Sequence, residues 1–201
     1  MNLRSLIRQY GVALRAMVVF TLLLGAVYTA VVTGVAQLVA PAQANGSVVQ
    51  HDGAPVGSAL IGQSFTDKDG EALPEWFQSR PSAAGDGYDA SASSGSNLGS
   101  ENADLIKAVE ERRSAIAARD GVAPDSVPVD ALTASGSGLD PHISPEYALE
   151  QVDRVAEARH LSVDRVRALV EGHTQGRDLG YLGEPTVNVL ELNLALADLG
   201  S

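Results

Sequence analysis

AMVVFTLLLGAVYTAVVTGVAQLVA, residues 16–40, runs for 25 positions without a formal charge and is built mainly from Val, Leu, Ala, Phe, Met and Tyr. At about 1.5 Å of rise per residue such a helix is about 37 Å long, enough to cross a hydrocarbon core of about 30 Å with some tilt. Thr21, Thr29 and Thr33 can return their hydroxyls to backbone carbonyls, so they do not demand a pore. Gly25, Ala26, Ala30 and Gly34 offer small side chains at which another helix can approach closely.

A cleaved signal peptide is the competing reading, because Ala42-Gln43-Ala44 has the small-x-small form of a cleavage site. Signal cores have about 7 to 15 apolar residues, and this run is about twice that, which favours a retained anchor. Arg4, Arg8 and Arg15 are the basic residues ahead of it, and the first acidic residue is Asp52. The positive-inside tendency therefore predicts a cytoplasmic N-terminus over residues 1–15, a transmembrane helix over 16–40 and an extracytoplasmic soluble domain over 41–201.

That domain is acidic. Of 14 basic residues three precede the apolar run, which leaves 11 against 25 acidic groups, a formal −14. Such a surface repels nucleic acid and anionic headgroups, so a nucleic-acid partner is excluded and the lipid bilayer is met by the anchor. No cysteine is present, which removes disulfides, thiolate metal sites and cysteine nucleophiles together. About 150 residues beyond an anchor suffice for one compact domain.

Turn formers crowd residues 41–100: Asn45-Gly46, Asp52-Gly53, Asp69-Gly70 and the run Ser91 to Ser100. Short strands, one of them around Ser58 to Ile61, and loops are expected there. Ser100 is expected to cap a helix from Glu101 to near Gly121, with Leu105, Ile106, Val109 and Ile116 as its apolar stripe. Ser144-Pro145-Glu146 combines a capping hydroxyl, a proline in the first turn and a carboxylate at the positive end of a helix. Ala148, Val152, Val155 and Ala156 form its buried face. Ser162 caps a further helix carrying Val163, Val166, Leu169 and Val170, closed near Gly172. Val187 to Leu190 reads as a strand and Glu191 to Leu199 as a helix. The fold class is one N-terminal transmembrane helix plus a mixed α/β (α+β) domain with a small sheet flanked by helices.

Little in the chain spells out chemistry. There is no Gly-x-x-x-x-Gly-Lys-Ser/Thr phosphate loop, and Lys68 and Lys107 are the two lysines. Asp67-Lys68-Asp69-Gly70 lacks the later ligands of a calcium loop and reads as a solvated turn. His51, His142, His160 and His173 are scattered without metal or triad spacing. Ser135-Gly136-Ser137-Gly138 lacks the Gly-x-Ser-x-Gly form of a nucleophile turn. Neither a catalytic site nor a metal site of its own is expected.

Four segments go beyond what folding ordinarily demands: Gly57-Ser58-Ala59-Leu60-Ile61-Gly62-Gln63, Arg80-Pro81-Ser82-Ala83, Gly95-Ser96-Asn97-Leu98-Gly99 and Ser135-Gly136-Ser137-Gly138-Leu139-Asp140-Pro141. With Gln43-Ala44-Asn45-Gly46-Ser47 before them and Val187-Asn188-Val189-Leu190-Glu191-Leu192-Asn193 after them, they resemble, in order and over essentially the whole chain, the C subunit of Kdp-type potassium-transporting ATPases. Asp69 to Glu75 reads as a loop insertion relative to that family. The residues singled out as partner contacts or structural turns are Arg80, Pro81, Ser82, Gly95, Ser96, Asn97, Ser135, Gly136, Ser137, Gly138 and Asp140. Gly, Ser, Asn and Pro in such clusters fix turns. Arg80, in a loop poor in positive charge, is expected to pair with a carboxylate in the domain or on a partner.

The resemblance implies a four-part inward potassium pump in the cell membrane: a channel-like A subunit, a P-type ATPase B subunit, a small F subunit and this chain. The family's C subunit is described as a catalytic chaperone that raises the B subunit's affinity for ATP. ATP is thus implied for the complex, no covalent cofactor is implied, and the topology places about 160 residues on the side away from the nucleotide. An effect on ATP affinity is then expected to pass through the assembly by coupling. The alternative is a membrane-tethered domain with a binding or hydrolase activity of its own.

Overall fold

The computed structural model describes residues 2–199 and divides after Val48 into two compact units. The first is dominated by one continuous helical run, Leu3–Val39, long and apolar enough to cross a membrane. It comprises α1 (Leu3–Phe20), a π-helical stretch (Thr21–Tyr28) and α2 (Thr29–Val39). The helix therefore begins well before the apolar run, because the leader is rich in the good helix formers Arg and Leu and contains no proline, and the single Gly11 does not stop it. The π-helical stretch surrounds Gly25 and has no counterpart in the hydrophobic pattern. A short α3 (Pro41–Ala44) follows, with proline at its first position, and Asn45 closes it. The Asn45 amide exchanges hydrogen bonds with Gln37 at 3.1 and 3.2 Å.

A hairpin, β1 (Val48–His51) and β2 (Ala54–Ser58), begins at that boundary and lies in the second unit from residue 49 onward. Asp52 and Gly53 join the strands, both at positive φ, the backbone that a two-residue hairpin turn requires. The strand expected at Ser58 to Ile61 ends at Ser58, because the Ile61 amide donates back to the Ser58 carbonyl and turns the chain.

Among the described residues, six α-helices and a small sheet build the rest: α4 (Ala103–Asp120), α5 (Val129–Leu132), β3 (His142–Ile143), α6 (Pro145–Glu150), α7 (Val152–Arg159), α8 (Val163–Gly172), β4 (Thr174–Gln175), β5 (Thr186–Asn188) and α9 (Val189–Leu199), with short 3-10 turns at Ala90–Ala92 and Pro124–Ser126. β5 is the central strand, antiparallel to both neighbours, with Ile143 and Thr174 opposite Val187. The expected small sheet flanked by helices is present.

Local chemistry explains the boundaries. Asn102, not Ser100, caps α4: its side-chain oxygen accepts from the Asp104 and Leu105 amides, and Gly121 ends the helix at φ 69°. Ser144 and Ser162 cap α6 and α8 as expected. The helix expected from Ser144 is observed as α6 followed directly by α7, with buried Gln151 at the junction. β5 stops at Asn188 rather than Leu190, because the Asn188 side-chain oxygen accepts from the Glu191 amide and starts α9.

The core joins Ile143 and Val187 of the sheet to Tyr147, Val152 and Val155, to Val166 and Val170, and to Leu192 and Leu196. Phe77, fully buried, enters it from a loop. Ile106 departs from the expected stripe and is 47% exposed, whereas Ile116 is buried.

Candidate functional site

The long segment between β2 and α4 lacks regular structure over most of its length, so its backbone groups need partners elsewhere. Two side-chain amides supply them in the core. Asn193 of α9 accepts from the Phe77 amide and donates to the Phe77 carbonyl, both at 2.9 Å. Gln151 does the same for Gln78, at 2.7 and 3.2 Å. Each amide mimics a neighbouring strand and fixes the chain immediately before Arg80.

Beyond that anchor the sequence-selected loops converge. The Arg80 guanidinium donates to Asp140 at 3.0 Å and to the Thr133 carbonyl at 3.2 Å, so its carboxylate partner lies within the domain. The Ser82 hydroxyl donates to the Gly138 carbonyl at 2.6 Å and accepts from the Ala84 and Tyr88 amides. Pro81 lies between them and borders a shallow recess with Tyr88. The Ser94 amide and the Ser93 hydroxyl both donate to the Ser137 carbonyl, at 3.0 and 2.9 Å.

The glycines mark the places where backbones touch. Gly95 lies against Gly136, and a Cβ on it would stand 2.9 Å from the Gly136 carbonyl oxygen. Gly138 adopts φ 67°, and a Cβ there would meet the Ser94 carbonyl oxygen at 2.5 Å. The Ser135 and Ser137 hydroxyls lie 3.5 Å apart, and Ser137 accepts from the Leu139 amide, so this segment folds on itself. Gly62 of the first motif donates its amide to the Leu139 carbonyl, and the Asn188 side chain donates to the Ala59 carbonyl. Ser96 and Asn97 are exposed, as are Gly136 and Ser137, and Asn97, at φ 53°, donates to the Gly95 carbonyl within its own motif.

Electrostatics follow from this packing. Burial raises the Asp140 carboxyl, but hydrogen bonds from the His142 side chain and amide, with the Arg80 charge, outweigh it and hold the group below its ordinary value. Tyr88, whose hydroxyl donates to the Arg80 carbonyl at 2.7 Å, is pushed up to about 12, chiefly by burial. It therefore stays a neutral donor at physiological pH. Tyr88 was not among the sequence-selected residues, since one tyrosine in a Gly/Asp loop carries no pattern.

A second polar cluster was also illegible in advance. Asp120, at the end of α4, accepts from Arg119 and from Arg154 of α7 at 2.6 to 2.9 Å, with its side chain wholly buried. Arg154 also donates to Gln151 and to the Pro74 and Trp76 carbonyls. The available signal was an arginine between Val152 and Val155 on an otherwise apolar helix face.

Chemically, the converged loops are saturated. The Ser82 hydroxyl is engaged as donor and twice as acceptor, the Arg80 charge is neutralised by Asp140, and the Ser144 hydroxyl donates to Asp130. Such an arrangement fixes a surface rather than activating a nucleophile, which needs a hydroxyl with a free base beside it.

Comparison with known proteins places this geometry. Residues 10–198 match the family model described as "KdpC: K+-transporting ATPase, c chain". A protein named "Potassium-transporting ATPase KdpC subunit" from Kineococcus radiotolerans is 63% identical over 194 residues, covering 96% of this chain and 95% of that protein. Proteins of the same name from Mycobacterium tuberculosis (strain H37Rv) and Ralstonia nicotianae are 53% and 50% identical, covering 94% and 96% of this chain and 97% and 93% of their own lengths.

Proposed function

The chain belongs to the KdpC family, the c chains of K+-transporting ATPases, and from that premise we propose how it serves the pump. It is a subunit of a potassium-transporting ATPase and carries one helix suited to a membrane. In our reading it is an accessory subunit that holds a channel-like A subunit, a P-type ATPase B subunit and a small F subunit in an active assembly. It acts as a catalytic chaperone that raises the affinity of the B subunit for ATP.

One observation carries this reading: the family match runs from residue 10 to residue 198, through both the apolar helix and the acidic domain. The saturated loops support a role in assembly, because their polar groups are committed to holding one another. Arg4, Arg8 and Arg15 face the cytoplasm and the domain from residue 41 onward lies outside, as charge asymmetry favours. ATP affinity then changes by coupling: contacts that favour one state of the pump raise its affinity for whatever that state binds better.

The test is potassium-stimulated ATP hydrolysis by the A, B and F subunits purified with and without this chain. We expect the chain to co-purify, and its omission to raise the ATP concentration needed for half-maximal rate. An assembly that is equally active and equally saturable without it overturns the proposal.

A further inference from the structure

α1 carries a cationic face that the chain itself leaves without countercharge. Arg4, Arg8 and Arg15 recur at helical spacing, which at about 100° per residue brings them within about 40° of one another. All three are exposed, and among the described residues none forms an ion pair or a side-chain hydrogen bond. No acidic residue lies in the first unit, which ends at Val48, and the first carboxylate of the chain is Asp52. Arg4 and Arg8 border an open trough together with Ser5, Gln9, Val12 and Ala13. Leu3, Ile7, Tyr10 and Leu14, also exposed, form a separate apolar stripe about 110° around the same helix.

Depth identifies what meets the cationic face. Leu3–Val39 is 37 residues long, about 55 Å as a helix, whereas a bilayer with its headgroups is about 40–45 Å thick. With residues 16–40 filling the hydrocarbon, Arg15 stands at its edge, and Arg8 and Arg4 lie about 10 and 16 Å farther along the axis, in and just beyond the headgroup layer. Tyr10, between them, is of the amphipathic aromatic type that belongs at that level. An apolar stripe beside a cationic one is the pattern of a helix that rests in the interface.

We infer that Arg4, Arg8 and Arg15 form a binding face for the phosphate groups of anionic phospholipids in the leaflet that holds the N-terminus. The inference goes beyond the accessory-subunit reading and does not depend on it. Charge and depth together select lipid over a protein partner: the cationic face begins where the membrane-crossing run ends, and phosphate is the anion that every bilayer presents there. A guanidinium fork matches phosphate oxygens bidentately, and three of them on one face can hold a headgroup that a single charge would not retain.

The test reconstitutes the full chain in phosphatidylcholine vesicles that contain spin-labelled phosphatidylglycerol or spin-labelled phosphatidylcholine, and measures the motionally restricted lipid by electron spin resonance. Both leaflets have the same composition, so the direction of insertion does not affect the readout. Each arginine near the surface is worth about a five-fold preference for an anionic lipid. Wild type is expected to prefer phosphatidylglycerol by at least about five-fold, Arg8→Gln to weaken that preference, and the triple variant Arg4→Gln, Arg8→Gln, Arg15→Gln to abolish it. Equal restriction of the two lipids by wild type, or a preference unchanged in the triple variant, overturns the inference; Arg8→Gln alone decides it if the triple variant does not insert. In a second arm p-benzoylphenylalanine replaces Ser5 in the chain expressed with the other subunits of the pump. Capture of phospholipid is expected, and capture of a protein subunit in its place overturns the lipid face while leaving the accessory-subunit reading intact.

Discussion

Arg80 and Asp140, 60 residues apart in sequence, meet at 3.0 Å and tie the loop after the Phe77-Gln78 anchor to the turn that leads into β3. The pair is partly shielded, with side chains 20% and 30% exposed, and each partner has further bonds: Arg80 to the Thr133 carbonyl, Asp140 to His142. The ion pair is thus one strut of a frame, and its value lies in joining segments that no regular element connects.

Replacing Asp140 by Asn is expected to cost about 1 to 2 kcal/mol at neutral pH, since a charge-assisted bond in a half-shielded setting is lost. The pH dependence has a definite sign. The folded carboxyl is held below its ordinary 3.8, so its stabilisation is fully present above that value and is lost as pH falls through the lower folded value. Unfolding curves on the acid side should therefore separate wild type from Asp140→Asn at neutral pH and bring them together at the acid extreme. Parallel curves throughout would show that the ion pair contributes nothing.

Gly138→Ala tests the frame at its closest approach. The substitution strains φ 67° and drives a methyl against the Ser94 carbonyl oxygen and the Ala84 amide, both backbone atoms with little freedom to yield. A loss greater than about 1 kcal/mol is expected. Gly121→Ala, at similar φ but with open space for the Cβ, should cost less. Thermal unfolding of the two variants side by side measures the steric share.

How much of this was legible in sequence depends on the kind of signal. The apolar run, the caps at Ser144 and Ser162 and the apolar faces of α7 and α8 follow local rules, and they are found where those rules put them. Arg80, Ser82, Gly95, Gly136, Gly138 and Asp140 could be selected as unusual, but their mutual contacts span 40 residues or more, beyond any local period. Ser96 and Asn97 share a motif with Gly95 yet remain at the surface. The α4 cap was misplaced by two residues, because Ser100 and Asn102 are both competent caps and only the observed turn at Gly99 to Asn102 separates them. Asn193 closes the last quoted motif, but its bonds to Phe77, like those of Gln78 and Gln151, were unreadable, since a buried amide looks like a surface one until its partners are known.

The Asp120 cluster predicts strong non-additivity. Asp120→Ala leaves Arg154, 9% exposed, without its countercharge, and a loss of about 3 to 5 kcal/mol is expected. Adding Arg154→Met removes the more deeply buried of the two guanidinium groups that Asp120 had paired, Arg119 being 23% exposed, and returns apolar volume to the α4–α7 contact. The double variant should accordingly be more stable than Asp120→Ala alone, as chemical unfolding of the three chains would reveal. Additive losses would mean that the guanidinium finds enough compensation in Gln151 and the Pro74 and Trp76 carbonyls.

Glu150 closes α6 beside that cluster, and one of its carboxylate oxygens is buried without a hydrogen-bond partner. Burial, then the neighbouring Asp120 and Asp130 charges, push its carboxyl up to about 7, against the opposing pull of Arg119. The sign is the reverse of Asp140. A folded value above the unfolded 4.5 means that the native state binds the extra proton between those limits, so the contribution is complete below pH 4.5 and disappears as pH rises through 7. Glu150→Gln keeps the size and removes the charge. It should leave the melting temperature little changed at pH 5 and raise it at pH 8, flattening the loss that wild type suffers across that interval. Melting curves of the detergent-solubilised chains at the two pH values decide it, and an equal shift at both would assign the effect to packing rather than to the proton.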